Sequence, residues 1–301
     1  MKRKIKRFVC FSIFMLFCLG MVPAEAGAFQ EGRDHMYSGG SLLKIRQEEK
    51  FHILLIGQDQ REGEKGKRSD SMMVCSYCPE ENKLLVTSFL RDLYVKIPGY
   101  GYERINAAYA YGGAELLKKT IEENFGIPID GTVEVDFKQF AEIIDLLGGV
   151  TLDIRQDEAR EINRLVPDGS LAAGEETLNG QQALVYARIR KLDPDSDFSR
   201  TERQRKLISA LMDQNRNISF STMVRLTGRI LPSITTSLNS LQILNYGKLL
   251  MPCLKTLEIE GTRIPEAGDA QDREIRGMQV LVPDLPSIRE KLQTRLGIPS
   301  K

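Results

Sequence analysis

FHILLIGQDQREGEKGKRSDSMMVCSYCPEENKLLVTSFL, residues 51–90, contains three short apolar runs, at 51–57, 71–77 and 82–90, separated by polar loops. Short apolar runs of this length between polar loops read as strands. Helical periodicity follows at 105–124, and Gly126 and Pro128 stop it. VEVDF at 133–137 is a strand, KQFAEIIDLL at 138–147 a helix closed by Gly148 and Gly149, and VTLDI at 150–154 a strand. Further helices are expected at 179–188, 200–215, 220–231, 240–251 and near 285–296, with strands near 254–260 and 278–282. Strands that interleave with helices predict an α/β fold, a central mixed β-sheet covered by helices on both faces in three α-β-α layers. No repeat or linker interrupts the chain after residue 50, so 51–298 reads as a single domain.

Upstream, residues 27–50 are polar and Gly-containing, a tether. Residues 1–26 have the order of an export signal: a basic start, MKRKIKR, the apolar run Phe8 to Val22, and the small residues Ala24 and Ala26. Cleavage near Ala26 would release the protein, whereas retention would leave residues 8–24 as a signal anchor. Both put the body outside the cytoplasmic membrane. Without residues 1–26, which carry five cations and one anion, the formal net charge falls from +1 to −3. A mildly acidic body with no basic recognition helix gives no footing for nucleic-acid binding.

With only two His in 301 residues, a His-rich zinc site is excluded, and triad chemistry would rest on His35 or His52. Cys10 and Cys18 fall in the signal, leaving Cys75, Cys78 and Cys253 in the body. An odd count argues against a disulfide framework. Cys75 and Cys78 lie in a strand pattern and read as small buried side chains.

The chemistry sits at the ends of the predicted elements. Asp59 follows the first strand and Asp70 opens the second, so neighbouring strands would bring both carboxylates to one sheet edge. Either they cap turns or they hold Mg²⁺, with Mn²⁺ an alternative. Arg61, Arg68, Arg91, Arg104, Arg188 and Arg190 recur at comparable ends. Ser199-x-x-Glu202 forms a capping box that predicts a helix starting at Arg200, with Arg200 and Arg203 on one face near its positive end. Arg188 and Arg190 would join them if the chain is extended there. Acids with several guanidinium groups suit metal-assisted phosphoryl or pyrophosphoryl chemistry without a catalytic His.

The ordered motifs Gly57-Gln-Asp59-Gln-Arg61, Arg68-Ser-Asp70, Arg91-Asp92-Leu-Tyr, Arg104-Ile-Asn106, Asp145-Leu-Leu-Gly-Gly, Leu178-Asn-Gly through Arg188-Ile-Arg190, and Arg200-Thr-Glu-Arg203-Gln204 resemble the LytR-CpsA-Psr family. The resemblance is strong over 51 to about 215 and implies an extracytoplasmic enzyme at the outer face of the cytoplasmic membrane. Such an enzyme transfers a glycopolymer (teichoic acid, capsule or another wall polysaccharide) from a polyprenyl-pyrophosphate carrier to peptidoglycan, through a phosphodiester. The resemblance further implies an apolar lipid groove, Asp59 and Asp70 as ligands of Mg²⁺, and Arg68, Arg91, Arg104, Arg188, Arg190, Arg200, Arg203 and Gln204 around the pyrophosphate. Asp92 is the candidate proton acceptor. The apolar faces of helices 105–124, 137–147 and 220–251 are candidates for the groove. Gln58, Leu90 and Arg104 stand where the family usually has Ser, Pro and Lys. A hydrolase acting on the same lipid pyrophosphate, or a non-catalytic lipid-binding regulatory module, are the alternative readings.

Overall fold

The computed structural model describes residues 50–59, 68–167, 170–193 and 196–298. The export segment, the tether up to residue 49, His35 and Arg61 lie outside the described residues, and among the latter no helix is long and apolar enough to cross a membrane.

The three apolar runs form β1 (Phe51–Asp59), β2 (Arg68–Cys78) and β3 (Lys83–Phe89), an antiparallel set. β6 (Gly131–Asp136) joins β1 in parallel, and β10 (Glu258–Ile264) joins β3 in parallel. With β9 (Thr235–Thr236) at the far edge, the sheet order is β10-β3-β2-β1-β6-β9. Four strands, β10, β3, β1 and β6, therefore point one way, and their carboxyl ends open on one edge, where α/β sheets bind ligands.

Both sheet faces are covered. Phe51, Ile53, Met73, Cys75 and Val86 meet α6 (Phe220–Ile230) and α7 (Ser240–Leu250), together with Met212 of α5 (Ser196–Asp213). On the opposite face Leu54, Ile56, Met72, Val74 and Phe89 meet α1 (Asn106–Phe125) and α8 (Leu285–Leu296). Period-two alternation explains the division, because successive strand residues point to opposite faces. The same alternation separates Cys75 from Cys78, which belong to opposite cores and are both unpaired thiols.

A third core, beside the sheet, is built from α2 (Phe137–Leu146), the hairpin of β7 (Val150–Ile154) and β8 (Gly174–Leu178), α3 (Gln156–Leu165), α4 (Gly180–Arg188) and part of α5. Asn179 caps α4, accepting from the Gln182 N–H at 2.9 Å, and the Gly180 N–H donates to Asp145 at 2.7 Å. Gly180 is obligatory by contact: a Cβ there would lie 2.0 Å from the Ala141 carbonyl oxygen.

Several expected elements differ. VTLDI pairs with β8 in a separate hairpin rather than joining the sheet, since the third core, not the sheet edge, buries Val150, Leu152 and Ile154. The strand expected near 254–260 runs instead over Glu258–Ile264, in register with β3. α3 has no counterpart among the expected elements, because it buries only Glu158, Ala159 and Ile162 and is otherwise mostly polar or charged. Two further hairpins also emerge, β4 (Tyr94–Ile97) with β5 (Gly101–Arg104), and β11 (Ala270–Ile275) with β12 (Met278–Pro283). α5 begins at Ser196, one turn before the capping box, because Phe198 packs under Arg263 at 4.1 Å and against the α1-side core, which draws the segment into the helix.

His52 is buried in β1, its Nδ1 2.8 Å from Ser76 Oγ, at the strand end away from Gly57, so it is a core residue and not a triad member. Burial, helped by nearby Lys50, lowers its pKa from 6.5 to about 4. A depressed histidine stabilises the fold fully above the unfolded value and loses that contribution as pH falls through the folded one. The stability of the wild type is therefore expected to fall between pH 6.5 and about 4 more steeply than that of His52→Gln, measured by urea titration. Gly180→Ala is expected to cost about 1–3 kcal/mol by overpacking, read in the same titration.

Candidate active site

The carboxyl edge of the sheet gathers the predicted residues by backbone geometry. Gly57 pairs with Ser71, Gln58 with Ser69 and Asp59 with Arg68, which leaves Asp70 as the extra residue of a β-bulge. Bulges at strand ends re-aim the chain beside active sites. Asp59 and Asp70 thus stand on adjacent strand ends at the same edge, although the side chains of Asp59, Arg68 and Asp70 lie outside the described residues. Ser69, next to Asp70 in β2, has a buried Oγ without a hydrogen-bond partner among the described residues. Two carboxylates and an orphan hydroxyl are hard oxygen donors, and this chemistry fits Mg²⁺.

On the α1 side of this edge, the 90–93 loop carries Arg91 and Asp92. Backbone bonds pin it: Leu90 N–H to Ile264 O at 2.9 Å, Ile105 N–H to Leu93 O at 2.8 Å, and Leu281 N–H to Asp92 O at 2.9 Å. Arg104, at the end of β5, donates to Asp92 Oδ1 at 3.2 Å, and Arg91 Nε lies 3.5 Å from Asp92 Oδ2. The three side chains are about a quarter exposed, leaving a wet face for an anion. Arg104 makes this bond through one terminal nitrogen.

On the other face lies a cleft with about 140 Å³ of enclosed volume. Its wall is apolar, with Leu55, Met73, Val133, Phe140, Leu207 and Leu211 among the lining residues. Its polar members, Ser71, Asp136, Arg188 and Gln204, gather where the strands end. Ser71 Oγ donates to Gln204 Oε1 at 2.9 Å, and Arg188 stacks 4.3 Å over the Phe137 ring. α2, α4 and α5 supply the walls; α1 contributes nothing, because it packs on the opposite sheet face, and of 220–251 only Ile234 reaches the cleft.

The arginines divide accordingly. Arg188 and Arg190 are not on an extended segment: Arg188 ends α4 and Ile189 caps it, so only Arg188 is placed at the cleft. Arg200 and Arg203 are buried inside α5 beyond its first turn, so the free N–H groups of that helix end are not beside them. Arg203 is a correction to the phosphate-binding set. Its Nε donates to Glu158 at 2.8 Å, one terminal amine to Ile189 O at 3.2 Å and the other to Asp193, which also accepts from Arg155 at 3.0 Å. Burial opposes its charge, but the bonds to Asp193 and Glu158 outweigh burial and raise its pKa. A guanidinium with its donors so occupied is an anchor for the 189–193 segment that follows Arg188. Arg205, outside the sequence-predicted set, donates to Ser88 Oγ at 3.1 Å, and burial lowers its pKa. The only sequence signal was its place beside Gln204.

The site is thus an apolar cleft of an α/β protein that ends at an edge of guanidinium and carboxylate groups. The chain belongs to the LytR_cpsA_psr family, whose model matches residues 26–296. It is 37% identical over 182 residues to the polyisoprenyl-teichoic acid–peptidoglycan teichoic acid transferase TagU of Bacillus subtilis, covering 60% of this chain and 57% of TagU. Among solved structures, TagT bound to LIIa-WTA aligns with a TM-score of 0.67 at 30% identity, over 84% of this chain and 92% of that one. TagT with bound octaprenyl pyrophosphate lipid aligns at 0.63 and 27% identity, over the same shares.

Arg203→Ala, which strands Glu158 in the core, is expected to cost about 3–5 kcal/mol. Arg188→Ala, at the exposed cleft mouth, should stay within about 0.5 kcal/mol; urea unfolding of both variants separates anchor from ligand.

Proposed function

We propose that this chain is an extracytoplasmic phosphotransferase that moves a glycopolymer, wall teichoic acid in the first instance, from a polyprenyl-pyrophosphate carrier to peptidoglycan. The observation that carries this reading is the continuity of the apolar cleft with the charged strand edge through Arg188. A polyprenyl chain buried in the cleft contributes about 0.8 kcal/mol per buried CH₂, and its pyrophosphate then falls at the strand ends. The name of TagU and the ligands of the two TagT structures support the same substrate class. The basic and apolar order of residues 1–26 supports placement outside the membrane, by an anchor over 8–24 or after cleavage near Ala26.

In this reading Arg188 holds the pyrophosphate at the mouth of the cleft, and Arg91 neutralises charge on it from the other side. Arg68, Arg190 and Arg200 complete the guanidinium set. Gln204, held by Ser71, orients the mouth. Arg91 and Arg104 aim Asp92, which accepts the proton of the attacking hydroxyl. Asp59 and Asp70 would hold Mg²⁺, which when bound neutralises the pyrophosphate oxygens. Preorganised charge of this kind suffices for phosphoryl transfer, which needs positioning more than covalent chemistry.

The test uses the full chain with Mg²⁺, a polyprenyl-pyrophosphoryl saccharide and a peptidoglycan oligomer, with products identified by mass spectrometry. The saccharide should appear on the acceptor through one phosphate, with loss on chelation. Arg91→Ala and Arg188→Ala should lower kcat by about 10²-fold or more. Free saccharide phosphate beside an untouched acceptor would instead identify a hydrolase, and no turnover at all a binding module.

A further inference from the structure

The β4–β5 hairpin presents an aromatic surface that the site described above leaves unused. Its inner face buries Val95 and Ile97, so its outer face carries Tyr94, Lys96, Tyr102 and Arg104, with Tyr94 opposite Arg104 and Lys96 opposite Tyr102. Tyr94 and Tyr102 stack with ring centroids 5.9 Å apart. Tyr100, in the turn, stacks on Tyr111 of α1 at 4.7 Å with the rings inclined by 19°. α1 is broken just beyond that contact, where Gly112 and Gly113 leave helical geometry and Gly113 takes φ 63°, ψ −157°, a conformation for glycine alone. The break separates the N-terminal segment 106–111, which ends at Tyr111, from the rest of the helix. Tyr100, Tyr102 and Tyr111 are 58%, 57% and 46% exposed, an expensive use of three large rings unless something covers them.

We propose that this hairpin and the N-terminal segment of α1 up to Tyr111 are the stacking platform for the acceptor glycan, an inference that rests on the transferase reading. Flat pyranose rings expose an apolar C–H face that packs on an aromatic face, while tyrosine hydroxyls and Lys96 keep the rim wet. Position selects the acceptor rather than the donor. The lipid cleft opens on the α5 face of the sheet, whereas the hairpin packs on the α1 face. In phosphoryl transfer the attacking and leaving oxygens lie roughly in line, so the attacking hydroxyl approaches from the side away from the lipid. Its oxygen bonds to the phosphorus bearing the glycopolymer, and the bond from that phosphorus to the bridging oxygen breaks. Polyprenyl phosphate leaves with the electron pair, and the hydroxyl proton passes to Asp92. Arg104, on the same outer face as Tyr102 and bonded to Asp92, joins the platform to the reacting edge. Tyr102 is one pleat repeat away, about 7 Å along the strand, the scale of a sugar ring.

The experiment compares the full chain with Tyr100→Ala/Tyr102→Ala and with Tyr111→Ala, using a tetrasaccharide of alternating N-acetylglucosamine and N-acetylmuramic acid. The acceptor KM should rise about tenfold in the double variant, with kcat and donor KM unchanged, and Tyr100→Phe/Tyr102→Phe should retain the parent value. An unchanged acceptor KM, or a rise in donor KM instead, would overturn the platform while leaving the transferase standing. If the parent chain shows no transfer, calorimetry of the tetrasaccharide alone decides: binding that the Tyr→Ala variants lose upholds the platform, and no binding to the parent rejects it.

Discussion

β1 is the constraint on which the rest depends. It is hydrogen-bonded on both edges, antiparallel to β2 and parallel to β6, and its side chains Phe51, Ile53, Leu54 and Ile56 are all but completely buried between two helical layers. A strand held on four sides cannot slip by one residue, since every apolar side chain would exchange faces. Where β1 ends is therefore fixed, and Gly57, Gln58 and Asp59 with it. The parallel partners, running the same way, add Asp136 and the 90–93 loop to that edge, and the bulge at Asp70 follows from how β2 meets the end of β1.

The two faces of the sheet then take different tasks. The α5 face carries an apolar cleft that Arg188 and Gln204 close with polar groups at the strand ends, and the α1 face carries the Asp92–Arg91–Arg104 cluster and the tyrosine hairpin. Across such an edge, burial of apolar surface and attraction of an anion act at adjacent places. The low dielectric of the cleft strengthens charge interactions at its rim.

The buried Arg203 shows how guanidinium groups of one motif acquire different tasks. Arg203 is satisfied by Glu158, Asp193 and the Ile189 carbonyl, and removing the guanidinium would leave Glu158 buried without its ion-pair partner. Arg188, on the exposed end of α4, keeps its charge for the cleft. Spacing along the chain could not distinguish them: the acids that claim Arg203 come from α3, a helix with few apolar residues, and from a loop.

What the sequence determined by itself is whatever depends on local periodicity and chain order. The three strands of 51–90, the helices at 106–125, 137–146, 180–188 and 285–296, the in-strand placement of Cys75 and Cys78, and the family motifs are all of this kind. Alternation and helical spacing are properties of neighbouring residues, so they are legible without a fold. Tertiary structure alone decided which faces meet. It set VTLDI in a hairpin, moved the start of α5 back to Ser196, assigned the cleft to α2, α4 and α5 instead of α1, and took Arg203 into a buried ion pair. Each of these outcomes turns on a contact between segments distant in sequence, where the burial of one surface against another outweighs local preference.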